Sequence, residues 1–445
     1  MKPHIRNVAG DILGRLCQTV NTGAFVNDTV QGIIDQIVKN RDPESRSGNG
    51  LALATIVGYM GSLGPAHHLK NIVGILHTLA VDPHPVVHTW ALYSLCIASE
   101  GAGPAYSPFV NSSLAIIARV LTVDTHELCT NIIKNPCDNN SVYPTLGRFL
   151  YSILGAIGPE LQFSQKVREF CFNLYEYFRT DTNPMSVMEA IRCVQNLYMF
   201  APNYVAINQL VPFLQMQIKS DQKYVPTQMR KAAITCLYQL TQKNPEAVLG
   251  AVINNQLEEQ LLDILDSEMD ELVSEGIRDI LTALLRHVAP KKPSRWIDLC
   301  RSVFSKVSPH AVSDAHLNHD DDEPEPDQKP PTKLERRSSK VLAPETVFNI
   351  AISPRWRTQI FVVKNVREVL RILNSQQEKA HFDLSAARKG KRANADSDWL
   401  IFRLADLIGI AFNASTSQIK DLNLEGLLLL QEVIKVFLPF YLNGI

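Results

Sequence analysis

Along most of this chain apolar residues recur every three or four positions, the spacing that lines one face of a helix. No stretch predicts a strand. Several segments share one phrase: a small residue, then apolar residues at +1 and +4 and often at +7 or +8. The small residues are Ala52, Ala91, Gly147, Ala190, Ala233, Gly276 and Gly426, and Gly147 leads a weaker copy in which Arg148 takes the +1 place. From 147 to 190, 190 to 233 and 233 to 276 the step is 43 residues each time; from 52 to 91 it is 39. From 91 to 147 it is 56, that is 43 plus an insert of 13 that the polar stretch 124–140 can hold.

A second mark follows each small residue by 12 to 14 positions: Pro65, Pro104, Pro159, Pro202, Pro245, Pro290 and Pro439. Proline cannot continue a helix but suits the first turn of the next one, and Gly64, Gly103 and Gly158 stand just before three of these prolines as helix terminators. Each unit therefore reads as helix A, a tight turn at Gly/Ala-Pro, and helix B. Two helices in a period of 40 to 47 residues are the HEAT/armadillo signature. The predicted fold is all-α: a HEAT/armadillo-type α-solenoid of stacked antiparallel helix pairs with a repeat of about 43 residues. One pair cannot bury its apolar stripe alone, so neighbours stack and share a core, and the small residue on helix A lets them approach.

The pattern divides the chain into a repeat array at 1–307, opened by a helix pair in residues 1–40, and a second helical block at 347–445. Between them, 308–346 is acidic, then proline-rich, then basic, and too poor in large apolar residues to fold; it reads as a disordered linker and hinge. Neither end shows a polar capping repeat, and the second block stops a few residues into a further B helix, so the chain is expected to be a piece of a longer array.

Composition narrows the function. Apolar residues make up 45% of the 445, enough for a core, and 44 basic against 45 acidic residues give a net charge of −1, which supplies no global field for nucleic acid; no basic amphipathic face that would hold the chain unaided on an anionic membrane is expected. Most of the eight cysteines lie inside apolar helical runs and none forms C-x-x-C, the usage of buried thiols in a reducing compartment. The N-terminus has no signal-peptide core, and the expected setting is the cytosol.

The candidate chemistry is sparse. His126, Cys129 and Cys137 offer three soft ligands with loose spacing and no fourth, so they read as a polar loop and not a zinc site. His67-His68 reads as a surface turn. His84 and His88 share the i, i+4 spacing but frame Pro85, Val86 and Val87, with no glutamate for H-E-x-x-H. Asp320-Asp321-Asp322-Glu323 reads as a solvated spacer ahead of a clamp for a cation or basic partner, and Arg388-Lys389-Gly390-Lys391-Arg392 as a solvated basic loop ahead of a nuclear signal or a lipid-headgroup contact. Arg336-Arg337-Ser338-Ser339 fits a basophilic kinase site with Ser339 as acceptor. No catalytic residue, cofactor site or metal site is predicted, and an enzyme is not expected.

The polar loop residues carry a more specific signal. The run SRSGNGLALATIVGYMGSLGPAHHLKNIVGILHTLAVDPHPVVHTWALYSL resembles a stretch of the HEAT repeat-containing protein 5 family, as do TLGRFLYSILGAIGPELQ, NLYMFAPNYVAINQLVPFL, ISPRWRTQIFVVKNV and AHFDLSAARKGKRANADSDWLIFRLADLIGIAFNAST. These segments span most of residues 45–420 in the same order. The family consists of very long cytosolic solenoids, far longer than this chain. What the resemblance implies is an interaction scaffold in clathrin-adaptor-dependent vesicle transport between endosomes and the Golgi, peripheral at the trans-Golgi network, endosomes and transport vesicles. Its implied partners are the clathrin adaptor complex and accessory proteins such as aftiphilin and gamma-synergin, with membrane contact only indirect through them. The fold equally admits a HEAT scaffold of another class, such as a nuclear-transport receptor or a phosphatase regulatory subunit.

Overall fold

A computed structural model of the protein describes residues 3–61, 68–122, 142–219, 226–251, 257–305, 355–376, 378–393 and 397–442. Among them there is no strand, and the helices form two compact units, one of Met1–Asn254 with Asp270–Gly276, the other of Asn255–Met269 with Ile277–Ile445. The expected junctions at 307/308 and 346/347, the linker between them, Ser339, Pro65 and the 124–140 insert all lie outside the described residues.

The first unit is built from α1 (Pro3–Val20), α2 (Gly23–Lys39), α3 (Pro43–Met60), α4 (Leu69–Leu79), α5 (Pro85–Ala102), α6 (Val110–Thr122), α7 (Tyr143–Ile157), α8 (Gln165–Arg179), α9 (Pro184–Phe200), α10 (Ile207–Ile218), α11 (Thr227–Lys243) and α12 (Pro245–Gly250). The A helices α1, α3, α5, α7, α9 and α11 pack in one row, each on the next. The B helices lie over that row: α4 touches α3 and α5, and α8 touches α7 and α9. This is the HEAT/armadillo-type stack that the 43-residue step requires.

Residue choice explains the tight row. A Cβ on Gly147 would fall 2.8 Å from Glu189 Cβ, and one on Gly276 would fall 2.5 Å from Ile234 Cγ2. Ala91, Ala190 and Ala233 are buried. At the first repeat the close approach is displaced from Ala52, which is only half-buried, to Gly58 and Gly101. A Cβ on Gly101 would lie 2.5 Å from Gly58 Cα, so α3 and α5 meet backbone to backbone. Side chains also tie one A helix to the next: Asn196 donates to the carbonyl of Tyr151 at 3.1 Å, and Gln239, 43 positions later, to the carbonyl of Gln195 at 3.2 Å.

The turns follow the prolines in most places. Pro104, Pro159 and Pro202 open short 3₁₀ turns, and Pro245 opens α12. Gly61, Gly103 and Gly158 end α3, α5 and α7 with φ of +67°, +52° and +54°, conformations that L side chains rarely adopt. The first of these stops falls at Gly61, ahead of the expected Gly64.

The second unit holds α13 (Leu257–Ser267), most of α14 (Glu271–Val288), α15 (Pro293–Ser305), α16 (Trp356–Ser375), α17 (Leu384–Ala393), α18 (Leu404–Ser415) and α19 (Lys420–Leu442). Helices on both sides of 306–354 pack together in it, α15 against α16 and α18, and α13 against α16. Arg355, buried just before α16, lies 2.9 Å from Asp263 and 2.5 Å from Asp266 of α13, and Thr358 donates to Asp266. Ser294 of α15 bonds Asp398 through its N–H at 2.9 Å and its hydroxyl at 2.5 Å.

Two expectations are corrected here, those for Pro439 and for the basic loop, while Pro290 keeps its place in a turn. Pro439 does not mark a turn: it lies inside α19. Leu438 precedes it, and without a glycine in the left-handed region the chain stays helical, losing one backbone bond. Pro290 sits in a turn, and Pro293 is the proline that opens the next helix. The basic loop 388–392 is helical, within α17. Its start is fixed by Asp383, whose Oδ1 accepts from Ser385 N at 2.7 Å and Ala386 N at 3.3 Å, a side-chain N-cap followed by good helix formers.

Candidate functional site

In a stack of helix pairs the row of A helices is used up in packing, so accessible concavities fall between B helices. One does here. Helices α2 and α4 both rest on α3, and His68 at the head of α4 meets Asn27 of α2 at 3.1 Å. Beyond that contact they part and leave a groove of about 930 Å³. Its floor is apolar: Ile34, Ile37, Ile75 and Leu79, with Val38 76% exposed at the edge. Gly74 keeps the α4 wall low, since a Cβ there would meet nothing within 4 Å.

The rim is basic and polar. Arg46 is held 2.6 Å from Asp82, so its charge is balanced. Arg41 and Lys70 are exposed and form no ion pair among the described residues. Gln31 turns to Asp35 at 3.0 Å, while Thr78 bonds the Gly74 carbonyl. An apolar floor beside two unbalanced cations suits a ligand that carries apolar side chains next to carboxylates. Nothing in the sequence singled the groove out. Its floor residues belong to the ordinary helical stripe, and only the splay of α2 from α4 makes them accessible.

The residues weighed for chemistry do not converge. His84 is exposed ahead of α5, whereas His88 is buried with Nδ1 2.5 Å from the Ala80 carbonyl. Burial lowers the His88 pKa, which marks a packed neutral ring and not half of an i, i+4 metal pair. Cys17, Cys96, Cys171, Cys193, Cys236 and Cys300 are buried as thiols. Burial pushes the thiols of Cys171, Cys236 and Cys300 up to about 12, far from a reactive thiolate. The Cys193 thiol donates to the Gly147 carbonyl at 3.4 Å, across the α7–α9 contact. His67, His126, Cys129 and Cys137 lie outside the described residues. Among the described residues no three His, Cys, Asp or Glu side chains are grouped to hold a metal ion, and no helix is long and apolar enough to cross a membrane.

The stacked helix pairs define a class: an all-α solenoid of the HEAT/armadillo type. Comparison with known proteins gives this class its relatives. Residues 399–439, over α18 and α19, match the family model described as the Laa1/Sip1/HEATR5 HEAT repeat region. Protein SWEETIE of Arabidopsis thaliana is 24% identical over 441 residues, which is 97% of this chain and 18% of that protein. The chain thus spans less than a fifth of the length of that relative. Among solved structures, Kap121p aligns at 10% identity over 98% of this chain and 44% of its own, with a TM-score of 0.45. The designed armadillo repeat protein YIII(Dq)4CqI aligns at 15% identity over 57% of this chain and 98% of its own, with a TM-score of 0.42.

Proposed function

We propose that this chain is a protein-interaction scaffold of clathrin-adaptor-dependent vesicle transport between endosomes and the Golgi, and that it holds its partner in the groove between α2 and α4. The observation that carries the reading is the groove itself, an apolar floor bounded by the unbalanced charges of Arg41 and Lys70. The occupant is an amphipathic helix with acidic residues beside its apolar stripe. The traffic assignment rests on the resemblance of the loop and helix sequences to the HEAT repeat-containing protein 5 family, and the match at 399–439 supports it. On this reading the chain works at the cytosolic face of the trans-Golgi network and endosomes. It has no catalytic role: it positions adaptor subunits or accessory proteins such as aftiphilin and gamma-synergin.

The test is affinity capture from cytosol on the 445-residue chain and on Val38→Asp, whose exposed site tolerates the change without a folding cost. Recovery of adaptor subunits or those accessory proteins by the wild type and their loss from Val38→Asp support both parts of the proposal. Equal recovery on both baits removes the groove. Capture of transport-receptor cargo or a phosphatase catalytic subunit in their place moves the chain to another class of HEAT scaffold.

A further inference from the structure

Helix α17 carries four cations in five positions, Arg388, Lys389, Lys391 and Arg392, all exposed. None forms an ion pair among the described residues, whereas three arginines elsewhere in the second unit are matched to acids: Arg301 to Asp406, Arg367 to Glu425, Arg403 to Asp298 and Asp406. The spacings 388/391, 388/392 and 389/392 place like charges one turn apart, where they repel. The helix dipole accounts for Lys391 and Arg392 in the last turn but not for Arg388 and Lys389. Of the neighbouring acids, Asp383 is occupied in capping α17, Asp398 in holding Ser294, and Glu378 lies before the helix beside His381.

The cations are presented from a fixed base. Ala387 is buried, and a Cβ on Gly390 would lie 3.0 Å from the Trp399 ring, so the inner face of α17 sits tightly on Trp399. Apolar groups flank the charged face. Leu384, 39% exposed, precedes Arg388 by one turn, and Phe402, 41% exposed, lies with its ring 5.0 Å from the Lys391 ammonium. Cations that reach outward beside apolar side chains at the same level are the arrangement of a helix lying in a lipid interface, where headgroups meet the charges and acyl chains the apolar groups. A nucleic-acid track calls for open aromatic faces for stacking, and the exposed Phe402 ring beside α17 lies under a lysine.

We infer that α17 with Phe402 is a direct contact site for an anionic membrane surface. The site is independent of the α2–α4 groove, and it replaces the expectation that membrane contact is only indirect.

The experiment is co-sedimentation of the full chain with vesicles of phosphatidylcholine alone or mixed with phosphatidylserine. Binding to the anionic vesicles is expected to fall with added salt and to weaken about fivefold for each of Arg388→Gln, Lys391→Gln and Arg392→Gln, on the order of a hundredfold for the triple variant. Phe402→Ser weakens binding while leaving the salt dependence in place. Lys166→Gln with Lys292→Gln, exposed lysines elsewhere, leaves it unchanged. Circular dichroism verifies that each variant is folded. Equal binding to both vesicle types, no binding, or binding indifferent to the triple variant overturns the inference. So does tight capture of heparin or an acidic peptide by a chain that ignores the vesicles.

Discussion

The sharpest consequence of the packing concerns Gly101. An alanine there adds one methyl group 2.5 Å from Gly58 Cα, 2.7 Å from the Val57 carbonyl oxygen and 2.9 Å from Gly58 N. Carbon contacts are comfortable at about 3.5–4.0 Å, so α3 and α5 must part by about 1 Å. All three obstacles are backbone, and no rotamer change relieves them. Overpacking of this kind costs about 1–3 kcal/mol, and a rigid obstacle belongs at the upper end. Alanine recovers about 1 kcal/mol of helix propensity, which leaves Gly101→Ala about 2 kcal/mol less stable than wild type. The same substitution at Gly32 in α2 meets nothing within 4 Å and is expected to stabilise by about 0.5–1 kcal/mol. The two variants are compared by urea unfolding followed by circular dichroism, with hydrogen exchange on α3 and α5 peptides because repeat arrays need not unfold in one step. If Gly101→Ala unfolds at the same urea concentration as Gly32→Ala, or if its α3 and α5 amides stay as protected as wild type, the close backbone approach is wrong.

Two further predictions follow from other positions. Gly158→Ala meets no atom nearer than 3.9 Å, so its cost isolates the strain of φ +54°, about 1–3 kcal/mol; urea unfolding at wild-type stability would show that α7 ends in another conformation. Glu189 is buried against Arg192, and burial raises its pKa above the ordinary value near 4.3. Its folded carboxyl holds a proton more readily than the unfolded one, so its share of stability is full below about pH 4 and is lost as pH rises through the raised value. Glu189→Gln removes that titration, so its stability relative to wild type should improve as pH rises from about 4 through the raised value, and a gap that stays constant or widens against the variant would contradict the burial.

The repeat was legible because packing demands it of every A helix: a small residue at the crossing and apolar neighbours at fixed offsets. Turns were legible where glycine and proline act together, as at Gly103-Pro104 and Gly158-Pro159. Without glycine the signal is weaker: Pro202 and Pro245 still open the next element, but Pro439 only costs α19 a hydrogen bond. The helical state of α17 was present in the sequence as the Asp383 cap and was masked by the run of cations after it. The Gly58–Gly101 contact was hidden because both glycines lie outside the shared phrase. The α2–α4 groove left no pattern at all: it is a property of how far two helices diverge, and its lining residues differ in no way from those that pack elsewhere.

The bonds that close the second unit join distant stretches of chain: Asp263 of α13 meets Arg355 across 92 positions, and Ser294 meets Asp398 across 104. Chains are made at roughly 5–20 residues per second, so α13 leaves the ribosome roughly 5 to 20 seconds before the guanidinium that neutralises its carboxylates exists. During that interval Asp266, destined for burial, must stay hydrated, and the face of α13 that carries it has no partner to receive it. In the first unit the main helix contacts run between neighbouring repeats, and the reach of Arg6 over the Trp90 ring, 84 positions on, adds to pairs that already pack without it. Synthesis therefore separates the two units in time: the first can settle pair by pair behind the ribosome, while the second closes only when its last helices arrive.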